Sequence, residues 1–290
     1  QYERISVKLD RYIELDSEGK ELFSTDTSNW PQKYGAPAVG LYRPELAKMM
    51  VDAVGLENIK FDHDVASVEN KGGQAVCHFT NGQSYEADAI IGADGINSKV
   101  REQLVGGVNF QPNELYAYRF RSIIKLDDVN VDPAAQTGFY DRDGWFSYIP
   151  IGMGKAYWFG SVSGAETFDD FVEFFRGWER TPIPETLDKT KPEALVKSPL
   201  QDVNGIPYKW THGRITIIGD AAHPMIPDMA QGASQTFVDA QVIRDVFTSP
   251  QNVEDALKKY EKARREVASS VVKISQKGLF LGPYNVDPIA

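Results

Sequence analysis

One stretch of the sequence decides the fold, and it reads Gly219-Asp-Ala-Ala-His-Pro-Met-Ile-Pro-Asp-Met-Ala-Gln-Gly-Ala-Ser-Gln-Thr-Phe-Val-Asp239. The mostly apolar run just before it, 214–218, is typical of a strand buried on both faces of a parallel sheet. Such a strand delivers Asp220 at its carboxyl end, where ligands bind in α/β sheets. A carboxylate there can accept hydrogen bonds from sugar-like hydroxyl groups. A lone Gly-Asp pair would more often cap a turn, but the whole run favours a ligand site.

The second half of this stretch predicts a stiff loop and then a helix over 230–247. Pro224 and Pro227 restrict the loop, because proline fixes its own backbone angle φ. Gln231 and Gly232 open the helix. Free N–H groups at a helix N-terminus suit a ligand oxygen that carries negative charge. The pattern therefore predicts that such an oxygen binds at Gln231-Gly232.

A second segment reads Ile90-Ile-Gly-Ala-Asp-Gly-Ile-Asn-Ser-Lys-Val-Arg101. It predicts another buried strand, over 88–94, that ends at Asp94-Gly95. Asn97 or Ser98 can then cap a short helix that reaches Arg101. Asp-Gly by itself is among the commonest turn dipeptides, so this segment alone would indicate only a turn.

A third segment places Arg43 at the start of a helix predicted over 43–54, with Pro44 in the first turn and Gly55 just past the end. A cation is electrostatically out of place there, because the helix dipole favours negative charge at this end. An anionic ligand or a nearby carboxylate would explain Arg43. A simple solvated arginine explains it about equally well.

These three segments, in this order and spacing, resemble the flavin-dependent aromatic hydroxylases. This class A monooxygenase family includes para-hydroxybenzoate, salicylate and urate hydroxylases and zeaxanthin epoxidase. The resemblance covers nearly the whole chain: 92–95 is similar to the second FAD fingerprint, and Gly219-Asp220 with Gln231-Gly232 is similar to the third. It implies an α/β fold in which an FAD/NAD(P)-binding Rossmann-like domain is interrupted by an antiparallel substrate domain.

The resemblance also implies roles for individual residues. Asp220 would hold the ribityl chain, and the backbone of Gln231 and Gly232, the expected catalytic positions, would stabilise negative charge on the reduced flavin. Arg43 would lie beside the FAD pyrophosphate, and Asp94 where FAD and the nicotinamide nucleotide converge. The full expected cofactor-binding set is Arg43, Asp94, Gly95, Gly219, Asp220, Pro227, Gln231, Gly232 and Ala233.

The chain departs from the family pattern in two ways. Ser234 stands where the family commonly has Asn, and Val238 where it often has an acidic residue. The family's first fingerprint, Gly-x-Gly-x-x-Gly in an N-terminal βαβ unit, has no counterpart. Gly152-Met-Gly154 comes nearest, but it lacks the third glycine and lies in a predicted hairpin turn. Because the chain opens at Gln1 in mid-strand, we expect that an N-terminal piece precedes it or exists as a separate chain.

The predicted organisation has three parts: FAD-binding residues 1–107, an antiparallel substrate domain over 108–200, and a second FAD-binding part over 201–290. Antiparallel strands are predicted over 115–126, 137–140, 145–150 and 156–162, and a helix over 168–178. Alternating apolar residues over 5–15 predict a hairpin, and a short strand is predicted over 59–61. The last helix, 254–276, should bury a stripe made of Leu257, Tyr260, Ala263, Val267, Val271 and Ile274.

The sequence gives less support for individual substrate-binding residues than for cofactor-binding residues. Arg119 and Arg121 share one face of their strand, because strand periodicity is two; they could reach an anionic aromatic substrate, although a solvated face is the safer expectation. Tyr148 is a member of the aromatic strands that could line a pocket. His223 is the only histidine near the expected site, and a hydrogen bond that stiffens the loop suits it better than proton transfer.

Composition excludes several other classes of function. The 290 residues carry a net charge of −10, which argues against nucleic acid or an anionic membrane as the main partner. Hydrophobic residues make up 42%, so the chain can bury a core, and Cys77 is the only cysteine. With no signal peptide and no disulfide we expect a cytoplasmic protein. His63, His78 and His212 lack the clustered spacing of a metal site.

The resemblance implies one activity in particular. NAD(P)H would reduce FAD, O₂ would form a flavin C4a-hydroperoxide, and one oxygen would enter an aromatic or other conjugated small molecule. The alternative is a flavin-free descendant of the fold that acts as a binding protein or as a cofactor-independent isomerase or cyclase. Retention of Asp220, Gln231 and Gly232 argues against that alternative, because a site without flavin has little need of them all.

Overall fold

The computed structural model describes residues 5–105, 110–112, 118–203, 206–248 and 252–278. Its strands, in chain order, are β1 (Ser6–Leu9), β2 (Arg11–Asp16), β3 (Glu21–Asp26), β4 (Ala38–Leu41), β5 (Val65–Lys71), β6 (Gln74–Phe79), β7 (Ser84–Ala87), β8 (Ile90–Gly92), β9 (Phe110–Pro112), β10 (Tyr118–Lys125), β11 (Ala135–Tyr140), β12 (Gly144–Pro150), β13 (Lys155–Val162), β14 (Val196–Pro199), β15 (Gln201–Val203), β16 (Thr211–His212) and β17 (Ile215–Ile217). Its helices are α1 (Trp30–Tyr34), α2 (Arg43–Val54), α3 (Lys99–Val105), α4 (Phe168–Phe175), α5 (Ile183–Lys189), α6 (Gly232–Phe247) and α7 (Val253–Gly278).

The described residues form two compact units, each built from more than one chain segment. The first combines the described parts of 1–59 and 112–200, and the second those of 60–111 and 201–280. This division differs from the predicted one in residues 5–59, which group with the antiparallel strands. The physical reason is backbone pairing, since β2 hydrogen-bonds in parallel to β11.

A seven-stranded sheet, in the order β14-β10-β13-β12-β11-β2-β3, is the main sheet of the first unit. The antiparallel pairing of β10 to β13, of β12 to β13 and of β11 to β12 confirms the antiparallel strands predicted for this part of the chain. The predicted hairpin over 5–15 is wrong. β1 pairs instead with β4, and the turn at Asp16–Gly19 joins β2 to β3. Alternation shows which side of a strand is apolar but does not identify its partner.

One face of this sheet is covered by α4 and α5. Phe146 and Trp158, on neighbouring strands, stack with ring centroids 5.0 Å apart, and Phe171 and Phe175 from α4 pack on them. All four side chains are buried. Helix α4 begins with a reciprocal capping box, in which Thr167 and Asp170 satisfy each other's backbone N–H groups. This face is therefore a packed core.

The second unit contains the parallel pair predicted from the two buried runs. β17 pairs in parallel with β8, and β16 continues that sheet. The same unit also contains a separate antiparallel sheet, β5-β6-β7. The strand predicted over 59–61 is wrong, because a 3-10 turn at Leu56–Asn58 is followed by residues without regular structure.

The observed ends of two helices agree closely with the ends predicted from the sequence. Helix α2 spans Arg43–Val54 as predicted, and Gly55 follows it with a φ of +84°. Helix α7 also has the predicted extent within two residues. Its buried stripe differs from the predicted one: Ala263, Val267 and Ile274 are exposed, whereas Arg264, Ala268 and Val272 are buried. The hydrophobic pattern missed this rotation because a charged residue occupies the centre of the buried face.

Candidate cofactor-binding site

The loop after β17 bends sharply at Gly219. Its φ is +58°, a left-handed conformation that L-residues avoid. A Cβ added there would lie 3.0 Å from the Thr236 Oγ1 and 3.1 Å from its Cγ2, so α6 approaches the backbone closely. Asp220 follows with an exposed side chain at the carboxyl end of the strand. The geometry thus needs a glycine at 219 and presents a carboxylate at 220.

The N-terminus of α6 lies beside that carboxylate. A Cβ built on Gly232 would lie 4.0 Å from the Asp220 Oδ1. Gln231 is the N-cap residue, its side chain makes no capping hydrogen bond, and no acidic residue stands in the first turn. The first amides of a helix have no intrahelical partner and carry partial positive charge. Hydroxyl-accepting and anion-binding groups therefore meet within a few ångströms.

The remaining predicted residues of this loop frame the same place. Pro227 begins a one-turn 3-10 helix, Pro227–Met229, and Ala230 then takes a left-handed φ of +50° before α6 starts. Ala233 is exposed in the first turn. This arrangement fits a flavin: the carboxylate suits ribityl hydroxyls, and the open helix end suits the electron-rich edge of the ring system.

Asp94 has a local structural role. Its carboxylate accepts hydrogen bonds from the Ser98 Oγ at 2.5 Å and from the Lys99 and Val100 amides at 2.8 and 3.2 Å. Ser98 in turn accepts from the Arg101 amide, so the predicted capping of this short helix is confirmed. Gly95 has a φ of +78° with open space where a Cβ would stand. The role of Asp94 and Gly95 toward a nucleotide stays a prediction.

Arg101 joins the two fingerprint loops, a role that the sequence did not reveal. Its guanidinium donates to the Ala221 carbonyl at 3.1 Å, to the Asp220 carbonyl at 3.4 Å and to the Ile96 carbonyl at 2.5 Å. The residue is buried, and burial lowers the pKa of its guanidinium. The planar guanidinium of an arginine offers five N–H donors in a fixed geometry, which suits it to bind several carbonyls at once. The backbone on both sides of the site is thereby tied together.

Behind the Gly219 turn lies a buried chain of charged and polar groups. The His223 Nε2–H donates to the Asp239 Oδ2 at 2.6 Å, and the Arg264 Nε donates to Oδ1 at 2.8 Å. The Gly219 amide donates to Oδ2 at 3.0 Å. Burial by itself would raise the pKa of the Asp239 carboxyl, but its hydrogen bonds outweigh burial, and that pKa lies below its usual value.

This arrangement places His223 away from any open face, since its side chain is fully buried. It stiffens the loop, as the sequence suggested, and is not presented to a substrate in this conformation. Asp239 and Arg264 are functional candidates that sequence reasoning missed. The signal that could have found them is a pair of opposite charges at the buried positions of two amphipathic helices.

In the first unit, Arg43 occupies the first position of α2 and is exposed. Among the described residues it forms no ion pair, so no carboxylate there accounts for it. The arginines of β10 differ from each other. Arg119 is buried under the Trp145 ring at 4.4 Å and donates to the Ser161 Oγ at 3.0 Å, whereas half-buried Arg121 donates to the Ser198 Oγ at 2.8 Å.

Tyr148 points to the opposite side of that sheet. It lies in the core, and its hydroxyl donates to the Thr186 Oγ1 at 2.8 Å. Burial raises the pKa of this phenol. Strand β12 thus directs Tyr148 away from the face that carries Arg119 and Arg121, and these three candidates do not form one site.

One further chain of polar groups lies on the exposed face of the β5-β6-β7 sheet. His78 contacts the Ser84 Oγ at 2.7 Å through Nδ1 and the Glu69 carboxylate at 3.1 Å through Nε2. The side chains of His78 and Glu69 are partly exposed and Ser84 is exposed, so these contacts lie at the protein surface. Among the described residues no cluster of His, Cys, Asp and Glu could hold a metal ion.

Comparison with known proteins shows the class of protein to which the chain belongs. A family described as FAD binding domain matches residues 27–275. The 6-hydroxynicotinate 3-monooxygenase of Bordetella bronchiseptica is 31% identical over 268 residues, which cover 86% of this chain and 67% of the relative. An FAD-dependent urate hydroxylase of Mycolicibacterium vanbaalenii is also 31% identical, over 85% of this chain and 64% of the relative.

Solved structures agree on the fold. Klebsiella pneumoniae HpxO complexed with FAD and uric acid superposes with a TM-score of 0.86 at 24% identity, over 96% of this chain and 73% of that one. A salicylate hydroxylase substrate complex gives a TM-score of 0.80 at 20% identity, over 99% and 78%. The fold is thus that of the para-hydroxybenzoate hydroxylase-like flavoenzymes.

The chain belongs to the FAD binding domain family, and its relatives are class A flavin-dependent monooxygenases. It spans from 64% to 69% of the length of five curated relatives that it matches, and 36% of the length of two zeaxanthin epoxidases. None of the described helices combines the length and apolar character that a membrane crossing requires.

Proposed function

We propose that this chain carries the flavin-holding and substrate-covering parts of an FAD-dependent monooxygenase. With NAD(P)H as reductant, the enzyme would insert one oxygen atom of O₂ into an aromatic or other conjugated small molecule. One observation supports this most directly: the exposed Asp220 carboxylate stands beside the uncapped N-terminus of α6. A flavin needs both kinds of group, because it joins a polyhydroxyl chain to a ring that becomes anionic on reduction.

Each residue then has a defined part. Asp220 accepts hydrogen bonds from ribityl hydroxyls, and the amides of Gln231, Gly232 and Ala233 stabilise negative charge at the pyrimidine edge. Arg43, exposed and without a carboxylate partner among the described residues, would pair with the pyrophosphate. Bound FAD supplies the redox and oxygen-transfer chemistry, while the protein orients the reactants and excludes water.

Asp94 and Gly95 would lie toward the nicotinamide nucleotide. Because Asp94 is already the helix cap of α3, its contribution there would be to fix the loop, and the Gly95 backbone would allow a close approach. NADH and NADPH are both compatible with these residues.

The substrate class rests on the relatives and on the sheet. Two relatives are named for nitrogen heterocycles, urate and 6-hydroxynicotinate. The sheet face opposite α4 and α5 carries the partly exposed Arg121, which is hydrogen-bonded to the Ser198 Oγ and lies next to Phe159 on the neighbouring strand. A planar, electron-rich ring with an acidic group fits that combination of aromatic surface and cation.

A second candidate function has one specific observation in its favour. A relative named Aurachin C monooxygenase/isomerase, from Stigmatella aurantiaca, is 28% identical over 89% of this chain. An isomerase or cyclase that had lost its flavin would no longer need an acceptor at Asp220 beside free amides. Flavin uptake therefore separates the two candidates.

The test is the visible absorption spectrum of the purified chain during titration with FAD, alongside D220N and a matched surface variant, D245N. Asp245 lies on α6 and pairs only with the neighbouring exposed Arg244 among the described residues. We expect flavin bands that shift on binding, loss of affinity in D220N of roughly 10-fold or more, and no change in D245N. A chain that takes up no FAD, or that binds it equally well as D220N, contradicts the proposal.

A further inference from the structure

Three elements meet at one buried carboxylate in the second unit. Asp239 comes from α6, Arg264 from α7, and His223 from the loop that follows Asp220. Asp239 and His223 are fully buried, and Arg264 is 4% exposed. The Arg264 Nη2 also donates to the Gln235 Oε1 at 2.7 Å and to the Gln235 carbonyl at 3.3 Å. The Nε and Nη2 of this guanidinium therefore both donate hydrogen bonds to groups on α6.

Burial of such a pair is expensive, and hydrophobic residues of similar size would often be as stable. The position of the carboxylate indicates what the pair achieves instead. Its Oδ2 accepts from both the Gly219 amide and the His223 ring, which flank Asp220. The His223 amide also donates back to the Gly219 carbonyl at 2.8 Å. The residues on either side of Asp220 are therefore fixed to one point.

A second guanidinium holds the same turn from the other direction. Arg101 donates to the carbonyls of Asp220 and Ala221, while Asp239 accepts from the amide of Gly219. The carbonyls of the turn are thus held by a cation, and its amide by an anion. The Asp220 side chain itself is exposed and takes no part in either set of hydrogen bonds among the described residues. Hydrogen bonds thus fix the backbone around Asp220, while the Asp220 carboxylate itself faces solvent.

We propose that Arg264, Asp239 and His223 are positioning residues that orient Asp220 for flavin binding, so that helix α7 controls cofactor affinity through one buried ion pair. This inference rests on the proposed function, because it takes Asp220 as the flavin-holding carboxylate. Supporting hydrogen bonds behind the residues that bind a metal typically contribute 10- to 100-fold to its affinity. A similar gain, about 10-fold in the Kd for FAD, is expected here.

The experiment compares three network variants with a matched control. D239N/R264Q removes both charges together, so neither is left buried without its partner. H223Q keeps an N–H donor in the loop, and R264K keeps the charge but loses the fork. R265Q is the control, since Arg265 is the next residue of α7 and its Nε lies as far as 3.7 Å from the Glu261 Oε1, a weak ion pair. Each variant is measured for FAD affinity by quenching of flavin fluorescence and for thermal unfolding without FAD.

A role through Asp220 is separated from a merely structural role by repeating the measurements in D220N. We expect D239N/R264Q to raise the Kd for FAD about 10-fold in the wild-type background and less than about 2-fold in D220N, because groups that act through one another are not additive. The Kd of R264K for FAD should lie between those of wild type and D239N/R264Q. H223Q should raise the Kd less than R264K or D239N/R264Q does, and R265Q should have the Kd of wild type. Amide hydrogen exchange should quicken over 218–223 in the network variants.

Two results would overturn the inference alone: network variants that bind FAD as tightly as wild type, or equal losses in the wild-type and D220N backgrounds. If D239N/R264Q does not fold, as judged by its unfolding transition, H223Q and R264K carry the same comparison. A wild-type chain that does not bind FAD overturns the proposed function, and the inference with it. The two failures are therefore distinguishable.

Discussion

Replacing Gly219 with alanine measures how tightly the turn behind Asp220 is built. Two separate costs apply. Alanine at a φ of +58° would cost about 1–2 kcal/mol, because the left-handed region crowds the Cβ against the backbone. The new Cβ would also lie 3.0 Å from the Thr236 Oγ1 and 3.1 Å from its Cγ2. Such overpacking typically costs about 1–3 kcal/mol. We expect G219A to lower the free energy of unfolding by about 2–5 kcal/mol.

Two further variants divide that total between its causes. Gly82 has a φ of +82° but open space around its Cβ, so G82A should show the conformational cost alone. Removing the side chain that crowds the new methyl group should relieve the contact. In a T236A background the cost of G219A should therefore fall to that of G82A, about 1–2 kcal/mol.

Urea-induced unfolding, followed by tryptophan fluorescence, provides these free energies. T236A must also be measured alone, because it removes the hydrogen bond from the Thr236 Oγ1 to the Gly232 carbonyl. The reasoning is refuted if G219A costs no more than G82A, since α6 would then not approach Gly219 closely. It is equally refuted if the cost of G219A is the same with and without the Thr236 side chain.

Other changes have simpler expectations. R101K should cost about 2–3 kcal/mol and weaken FAD binding, since a single ammonium cannot replace the guanidinium hydrogen bonds to both loops; thermal unfolding and FAD titration check this, and an unchanged affinity would contradict it. Y148F should cost about 1 kcal/mol in urea unfolding, by loss of the hydrogen bond to Thr186, and leave FAD affinity unaltered. For Asp239, folding lowers the pKa below its usual value, so its contribution to stability is complete at neutral pH and lost as the pH falls through that lowered value. The free energy of unfolding of D239N should accordingly depend less on pH below about 4 than that of wild type, and parallel curves would count against the assignment.

Local patterns predicted much of the fold because their causes are local. Pro44 and Gly55 bound α2 at the expected residues. The two apolar runs before Asp94 and Asp220 became the parallel pair β8 and β17. The glycine-rich turns and helix starts of the candidate site also follow from short-range backbone preferences.

What the sequence did not reveal depends on partners distant along the chain. Nothing near Arg11 indicates that β2 pairs with β11, where Arg11 lies opposite Ala135, and that β1 pairs with β4 and not with β2. The alternation of side chains along β10 and β12 separates the two faces of the sheet, with Arg121 on one and Tyr148 on the other. Which of these faces becomes the core depends on where α4 and α5 pack. Arg264 does not stand out in the sequence, because a charge on an amphipathic helix normally faces solvent, and its partner Asp239 lies 25 residues away on another helix.

The pairing of β2 with β11 has a consequence for biosynthesis. Residue 11 cannot form its parallel ladder until residue 135 has left the ribosome, and the second unit likewise waits for the residues that build β17 and α7. Closing such long loops is entropically costly and slows folding. During synthesis, β2 and β3 can therefore pair with each other while the edge of β2 that later binds β11 is still unpaired. That edge is where a nascent chain of this kind is most open to chaperone capture and to mispairing with another copy.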